Sequence, residues 1–191
     1  MALYFLGSSV TYGFATSGHS FVEEVAKRTG FECVKEAVSG TTLAVRENDG
    51  NSSYVARLKR IGAEKKVSIL IVQLSTNDAT QNVPLGKISD DGNYDVNTVI
   101  GAIEEIIAYA RKTWSCGIVF YTNPHFGNAN YKKMIAALYE LQKKSVIEII
   151  DFYNIQIDKQ TLSSRMSDAI HPNEEGYQWM SEVFIDFLQR I

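Results

Sequence analysis

The chain has 191 residues, of which 45% are hydrophobic and 21% charged. That is ample apolar material for a packed core and excludes a disordered chain. A formal charge of −3 excludes a strongly basic, polyanion-binding surface, so no nucleic-acid partner is expected. The length suits one domain over residues 1–191.

Residues 2–6 are apolar and predict a strand that stops at Gly7. No basic segment precedes them, so no secretory leader is expected. Residues 19–28 predict a helix with Phe21, Val22, Val25 and Ala26 on one face and Gly30 as its stop. Residues 32–38 predict a second strand. Residues 43–53, with Asn48, Asp49, Gly50 and Asn51, predict a loop. Residues 54–65 predict a helix with Val55, Leu58 and Ile61 inward. Its basic run, Arg57-Leu58-Lys59-Arg60, is expected on the wet face. Residues 67–74 are almost wholly apolar and β-branched, which predicts a strand buried on both faces.

Residues 78–95 form a long polar stretch, a length often functional in compact domains. Residues 96–113 predict an amphipathic helix and 117–122 a buried strand. Residues 129–144 predict a helix and 146–152 the fifth strand. Residues 153–172 are mixed, and 174–189 close the chain as a helix. Strands alternating with helices imply a parallel sheet covered on both faces. No run reaches the length of a membrane span. Cys33 and Cys116 make neither a metal pattern nor a disulfide framework. They are expected as free thiols in a reducing compartment, hence a cytoplasmic location.

Four short motifs carry the chemistry. Gly7-Ser8-Ser9-Val10-Thr11-Tyr12-Gly13 follows the first strand. Ser39-Gly40-Thr41-Thr42 follows the second, and Ser75-Thr76-Asn77-Asp78 the third. Asp168-Ala169-Ile170-His171-Pro172 follows the fifth. In an open parallel sheet, all of these project from the carboxyl edge. An acid three residues before a histidine can hold its Nδ1–H and leave Nε2 free as a base. A serine on a glycine-flanked turn is a hydroxyl such a base activates. Ser9, His171 and Asp168 are therefore the candidate nucleophile, base and orienting acid. The N–H groups of Ser9 and Gly40 and the amide of Asn77 are candidate oxyanion donors. Tyr12, Tyr94 and His125 are candidate substrate contacts. The reaction class is acyl transfer to water, on a small-molecule acyl ester.

The motifs resemble those of the SGNH hydrolases, the GDSL-like lipase/acylhydrolase superfamily. Its usual Gly-Asp-Ser-x-Thr-x-Gly block is matched with Ser8 in place of aspartate, which aligns Ser9 as nucleophile. Its Gly-x-Asn-Asp block is matched with Ser75 at the first position. The last block, Asp168-Ala169-Ile170-His171-Pro172, matches fully. The resemblance implies a flavodoxin-like three-layer α/β/α sandwich with five parallel strands in the order 2-1-3-4-5. It also implies no metal and no organic cofactor. Acetylated carbohydrates, short-chain esters, thioesters and lysophospholipids are all within its substrate range.

Each motif also has a structural reading. Gly-Ser-Ser after a strand is often only a turn. Asp168 could cap the last helix, with His171 a bystander. A flavin or phosphate binder would use the Ser9–Gly13 turn but leave Asp168 and His171 unexplained. A catalytically dead acyl- or glycan-binding module would not need a competent residue at every position.

Overall fold

The computed structural model describes residues 1–47 and 49–191. Asn48, part of the expected 43–53 loop, lies outside the described residues. Five strands, β1 (Ala2–Gly7), β2 (Glu32–Ala37), β3 (Ile69–Gln73), β4 (Gly117–Tyr121) and β5 (Glu148–Ile150), form one parallel sheet. Their order is β2-β1-β3-β4-β5, as expected. In register, Leu3 lies between Cys33 of β2 and Ile69 of β3, and Ile69 pairs onward with Gly117. Cys33 and Cys116, the residue before β4, are both free and partly buried.

The alternation of β1 fixes the three layers, because successive side chains point to opposite faces. Tyr4 and Leu6 pack with α3 (Tyr54–Leu58), α5 (Val99–Trp114) and α6 (Ala129–Lys144). Leu3 and Phe5 pack with α2 (Phe21–Thr29) and α8 (Glu174–Leu188). On the second face Phe21 stacks on Phe184 with ring centroids 4.5 Å apart and an interplanar angle of 8°. β3 is buried along its whole length, as a central strand covered on both sides should be. β2 and β5 are the edges. β2 is partly exposed and carries Glu32, Lys35 and Glu36, while β5 has only 3 residues.

Several boundaries move for local reasons. α2 begins at Phe21, not at His19, because Ser20 and Glu23 form a reciprocal capping box there. The helix expected over 54–65 ends at Leu58, and residues 59–61 continue as single-turn bonds to Val55, Arg57 and Leu58. Arg57 is not on a wet face as expected: it is 1% exposed. A buried guanidinium is tolerable here because three carbonyls and a hydroxyl take four of its N–H groups and the Glu36 carboxylate, 3.2 Å from Nη1, takes the fifth and pairs the charge. Two short helices arise inside stretches expected to be irregular. α4 (Thr76–Thr80) is capped by Ser75, and α7 (Lys159–Ser164) by Asp158. Among the described residues, no helix is long and apolar enough to cross a membrane.

Candidate active site

The chain leaves β1 at Gly7 and turns at once into α1 (Ser9–Tyr12). A side chain at position 7 would stand 1.7 Å from the Thr11 hydroxyl, so only glycine fits. That space lets Thr11 fold back under the turn. Its hydroxyl donates to Gln73 Oε1 at 2.9 Å and accepts from the Tyr121 phenol at 2.6 Å. Gln73 Oε1 also accepts the Ser8 N–H at 2.9 Å. Gly13, at φ 91°, ends α1, and its N–H donates to the Ser9 carbonyl. The Gly-x-Ser-x-Thr-x-Gly spacing is thus the spacing of a tight strand-to-helix turn bolted to the ends of β3 and β4. Ser9 stands at its apex, 6% exposed.

The Asp168–His171 turn meets it. Asp168 Oδ1 accepts the N–H groups of Ile170 at 2.7 Å and His171 at 2.8 Å. Oδ2 accepts from His171 Nδ1 at 2.8 Å. A carboxylate can only accept, so the ring proton sits on Nδ1 and Nε2 is left as an acceptor. Ser9 Oγ lies 2.9 Å from that nitrogen and donates to it. Burial pushes the Asp168 carboxyl up, but the His171 ring and the two N–H groups outweigh it and hold it below the usual carboxylate range. The turn is pinned from outside by Asn123 Nδ2, which donates to the Ile170 carbonyl at 2.9 Å. The Phe14 ring lies 5.0 Å from the imidazole. α8 is capped by Asn173 and not by Asp168, so the helix-cap reading does not account for the aspartate.

On the other flank, Gly40 adopts φ 81° in the turn after β2, a left-handed conformation that favours glycine. Among the described residues neither its N–H nor that of Ser9 donates to another protein group. Asn77 Nδ2 donates one hydrogen to the Thr41 carbonyl at 2.9 Å, which fixes the amide beside Gly40 with its second hydrogen uncommitted. Ser75 Oγ donates to the same carbonyl at 3.3 Å and accepts the Asn77 N–H at 3.1 Å. Asp78 is buried and receives the N–H groups of Leu43 and Ala44 at 2.7 and 3.1 Å. Burial pushes its carboxyl up to about 6, against the lowering by those two N–H groups. Arg57 joins the two flanks: Nη2 donates to the Gly7 carbonyl at 2.7 Å and the Thr41 hydroxyl at 3.2 Å. Its Nη1 donates to the Glu36 carbonyl at 2.7 Å and its Nε to that of Ser52 at 2.9 Å.

The sequence matches the GDSL-like lipase/acylhydrolase family over residues 5–179. The chain belongs to this family. Among solved structures it resembles a protein from Lactobacillus plantarum with 19% identity and a TM-score of 0.82, covering 99% of this chain and 96% of that one. A member of the lipolytic protein G-D-S-L family from Veillonella parvula shares 16% identity at a TM-score of 0.75, with each chain covered completely. A family two carbohydrate esterase from Clostridium thermocellum, in complex with cellohexaose, shares 15% identity at a TM-score of 0.69, covering 99% of this chain and 63% of that one. No curated protein matches. As a GDSL-like acylhydrolase the chain departs from its family's motifs at Ser8 and Ser75. Both side chains are fully buried, and both serve the site's frame through Gln73, Thr41 and the cap of α4.

The remaining candidates are spread along the carboxyl edge. Tyr12 is exposed at the end of α1, with Lys35 Nζ 5.7 Å from its ring centroid. His125 is exposed after β4, its ring 4.5 Å from that of Tyr153. Tyr94 is partly buried ahead of α5, two residues before Val96, whose carbonyl accepts the Val45 N–H. Among the described residues no hydrogen bond or ring contact joins Tyr94 to Ser9 or His171. Sequence reasoning missed the supporting polar groups of this acylhydrolase: Gln73, Arg57 and Tyr131. The Tyr131 phenol donates to the Leu74 carbonyl at 2.9 Å and accepts the Asn123 N–H at 2.7 Å. A polar residue inside an apolar strand was the available signal for Gln73. Among the described residues no group of three or more His, Cys, Asp or Glu converges as a metal site would.

Proposed function

We propose that this acylhydrolase is a serine esterase that cleaves a small-acyl ester, acetyl or short-chain, through an acyl-enzyme at Ser9. The unbroken hydrogen-bonded chain from Ser9 Oγ through His171 to Asp168, at 2.9 and 2.8 Å, carries this reading. A serine hydroxyl is a weak nucleophile until a base takes its proton. In the proposed reaction His171 Nε2 takes that proton as Ser9 Oγ bonds to the carbonyl carbon. Asp168 keeps the ring in the required tautomer and stabilises the imidazolium. The carbonyl oxygen gains negative charge and is met by the Ser9 and Gly40 N–H groups and the Asn77 amide. The tetrahedral intermediate collapses as the C–O bond to the alcohol breaks and Nε2 returns its proton to the leaving oxygen. Water, deprotonated by the same nitrogen, then hydrolyses the acyl-enzyme and frees the acid.

Tyr12, the last residue of α1, and Tyr94 and His125, from two different loops, are the proposed substrate contacts. A fluorophosphonate probe should label Ser9. Labelling should vanish in Ser9→Ala and persist in Ser8→Ala; the reverse pattern would refute the assignment. A panel of esters from acetyl to octanoyl, acetylated sugars included because one fold relative is a carbohydrate esterase, should show turnover concentrated at the short end.

A further inference from the structure

The peptide unit between Ile170 and His171 is held on both sides. Its N–H, that of His171, donates to Asp168 Oδ1 at 2.8 Å. Its carbonyl, that of Ile170, accepts from Asn123 Nδ2 at 2.9 Å. A peptide unit is planar, so two bonds on opposite sides fix its orientation. The Cα of His171 closes that plane, and the imidazole hangs from it. Asp168 bonds the ring directly; Asn123 sets the backbone that aims it.

Asn123 is anchored in turn. Its N–H donates to the Tyr131 phenol at 2.7 Å, and that phenol donates its one hydrogen to the Leu74 carbonyl at 2.9 Å. Both residues are fully buried. Tyr131 sits in the first turn of α6, where the cap residue Asn128 accepts its N–H at 3.0 Å. The rings of Phe126 and Tyr153 stand 4.8 and 5.7 Å from its own. The phenol is therefore a rigid post between the ends of β3 and β4.

Leu74 leads into the loop that presents Asn77. Its N–H donates to the Tyr121 carbonyl at 2.8 Å, and the next residue, Ser75, accepts the Asn77 N–H at 3.1 Å. One line of hydrogen bonds thus runs from the Leu74 carbonyl through Tyr131 and Asn123 to the Ile170 carbonyl. It starts one residue before the Ser75 cap and ends one residue before His171. The other half of the Asn123 amide, Oδ1, is buried with no partner among the described residues. A bare buried acceptor costs folding free energy, while the half that does bond is aimed at the base's own peptide unit. We propose that Asn123 and Tyr131 are positioning residues, which hold the proposed base His171 and the proposed oxyanion donor Asn77 in one register from behind the site. This rests on the esterase reading above, with Ser9 as nucleophile and His171 as base.

The test uses the whole chain and a small acetate ester. Asn123→Ala should lower kcat by about 100-fold, the scale of a misplacement of about 1 Å, with KM little changed. Asn123→Leu, close in shape and without a donor, takes its place should the alanine variant not fold. The His171 Nδ1–H, bonded to Asp168, should give a far-downfield proton resonance in the wild type that shifts or broadens in the variant while thermal unfolding stays cooperative. Tyr131→Phe should lower kcat less, since the Ile170 bond survives. Combined with Asn77→Ala, its fall should be smaller than the product of the two single falls, because both act through one loop. Three outcomes overturn the proposal. A lowered Tm with wild-type kcat and an unmoved resonance would make Asn123 a folding residue only. A raised KM with unchanged kcat would make it a ground-state contact. Falls in Tyr131→Phe and Asn77→Ala that simply multiply would show that Tyr131 does not reach the Asn77 loop. Absence of both turnover and fluorophosphonate labelling of Ser9 in the wild type would instead remove the esterase reading itself.

Discussion

Arg57 Nη2 donates a 2.7 Å hydrogen bond to the carbonyl of Gly7, two residues before the proposed nucleophile. The same side chain holds the Thr41 hydroxyl and the Glu36 and Ser52 carbonyls while 1% exposed. Arg57→Met keeps the volume but strands those buried acceptors. A loss of about 3–5 kcal/mol in unfolding free energy is expected, the scale of breaking a buried charged network. Urea titration followed by circular dichroism measures it. A shift within about 0.5 kcal/mol, as for an ordinary surface substitution, would show that the guanidinium is dispensable.

Asn77→Ala should lower kcat on a small acetate ester by roughly 100- to 1000-fold, with KM little changed, because in the proposed mechanism the amide acts on charge that develops in the transition state. The fold should persist, since Ser75 still holds the Thr41 carbonyl. A rise in KM with unchanged kcat would instead make Asn77 a ground-state contact.

Asp168→Asn should lower kcat by roughly 1,000- to 10,000-fold, the cost of a wrong imidazole tautomer. The asparagine carbonyl can still accept the N–H groups that shape the turn, but its amide presents a donor to Nδ1. The ring must then carry its proton on Nε2 and cannot accept from Ser9. Steady-state kinetics beside a thermal melt separates the two roles. A variant with lost activity and an unchanged Tm fits the positioning role; a collapsed Tm would mark Asp168 as a folding residue.

Asp78 predicts a pH dependence of stability. Its folded pKa of about 6 is above the ordinary aspartate value of 3.8, so the folded state holds this proton more tightly than the unfolded one. Its contribution is fully present below about 3.8 and is lost as pH rises through 6. Asp78→Asn should remove that component. The difference in Tm between variant and wild type should therefore move in the variant's favour from about pH 4 to about pH 7. A constant difference across that range would show that Asp78 is not protonated in the folded protein.

Gly7→Ala tests the turn itself. The new methyl would stand 1.7 Å from the Thr11 hydroxyl and 2.9 Å from Gln73 Oε1, so Thr11 must leave its bonds to Gln73 and Tyr121. A loss of about 1–3 kcal/mol from overpacking, together with a fall in kcat, is expected. Thr11→Val, which keeps the shape and removes the hydroxyl, should reproduce part of the kinetic loss without the clash.

Much of this was legible in the sequence because period and motif carry it. The β-branched run of β3 announced burial on both faces, and the glycines around Ser9 announced a turn. The Asp168-x-x-His171 spacing is local, so its partner geometry is encoded within one turn. The frame was not legible for the opposite reason. Arg57 sits in a basic run that looks like solvated surface. Its burial depends on carbonyls from β1, β2 and the loop before α3, which no local pattern brings together. Tyr131 reads as one more apolar residue on the inner face of α6, and only the ends of β3 and β4 give its phenol a purpose. The α7 segment is short and weakly patterned; its Asp158 cap is a single residue among many polar ones.

The two rims of the sheet bear on how copies of this protein meet. An open strand edge offers unpaired N–H and C=O groups to any neighbour that can add a strand, and a long apolar edge invites aggregation. Here one rim, β2, places Glu32, Lys35 and Glu36 along the line where a second copy would dock. Lys35 is already committed to Glu23 and to the carbonyls of Tyr12 and Gly18. The opposite rim, β5, offers a template of only 3 residues. Growth by strand addition is thus discouraged from both sides, which leaves the carboxyl end of the sheet free to specialise in chemistry without becoming a seed for polymerisation.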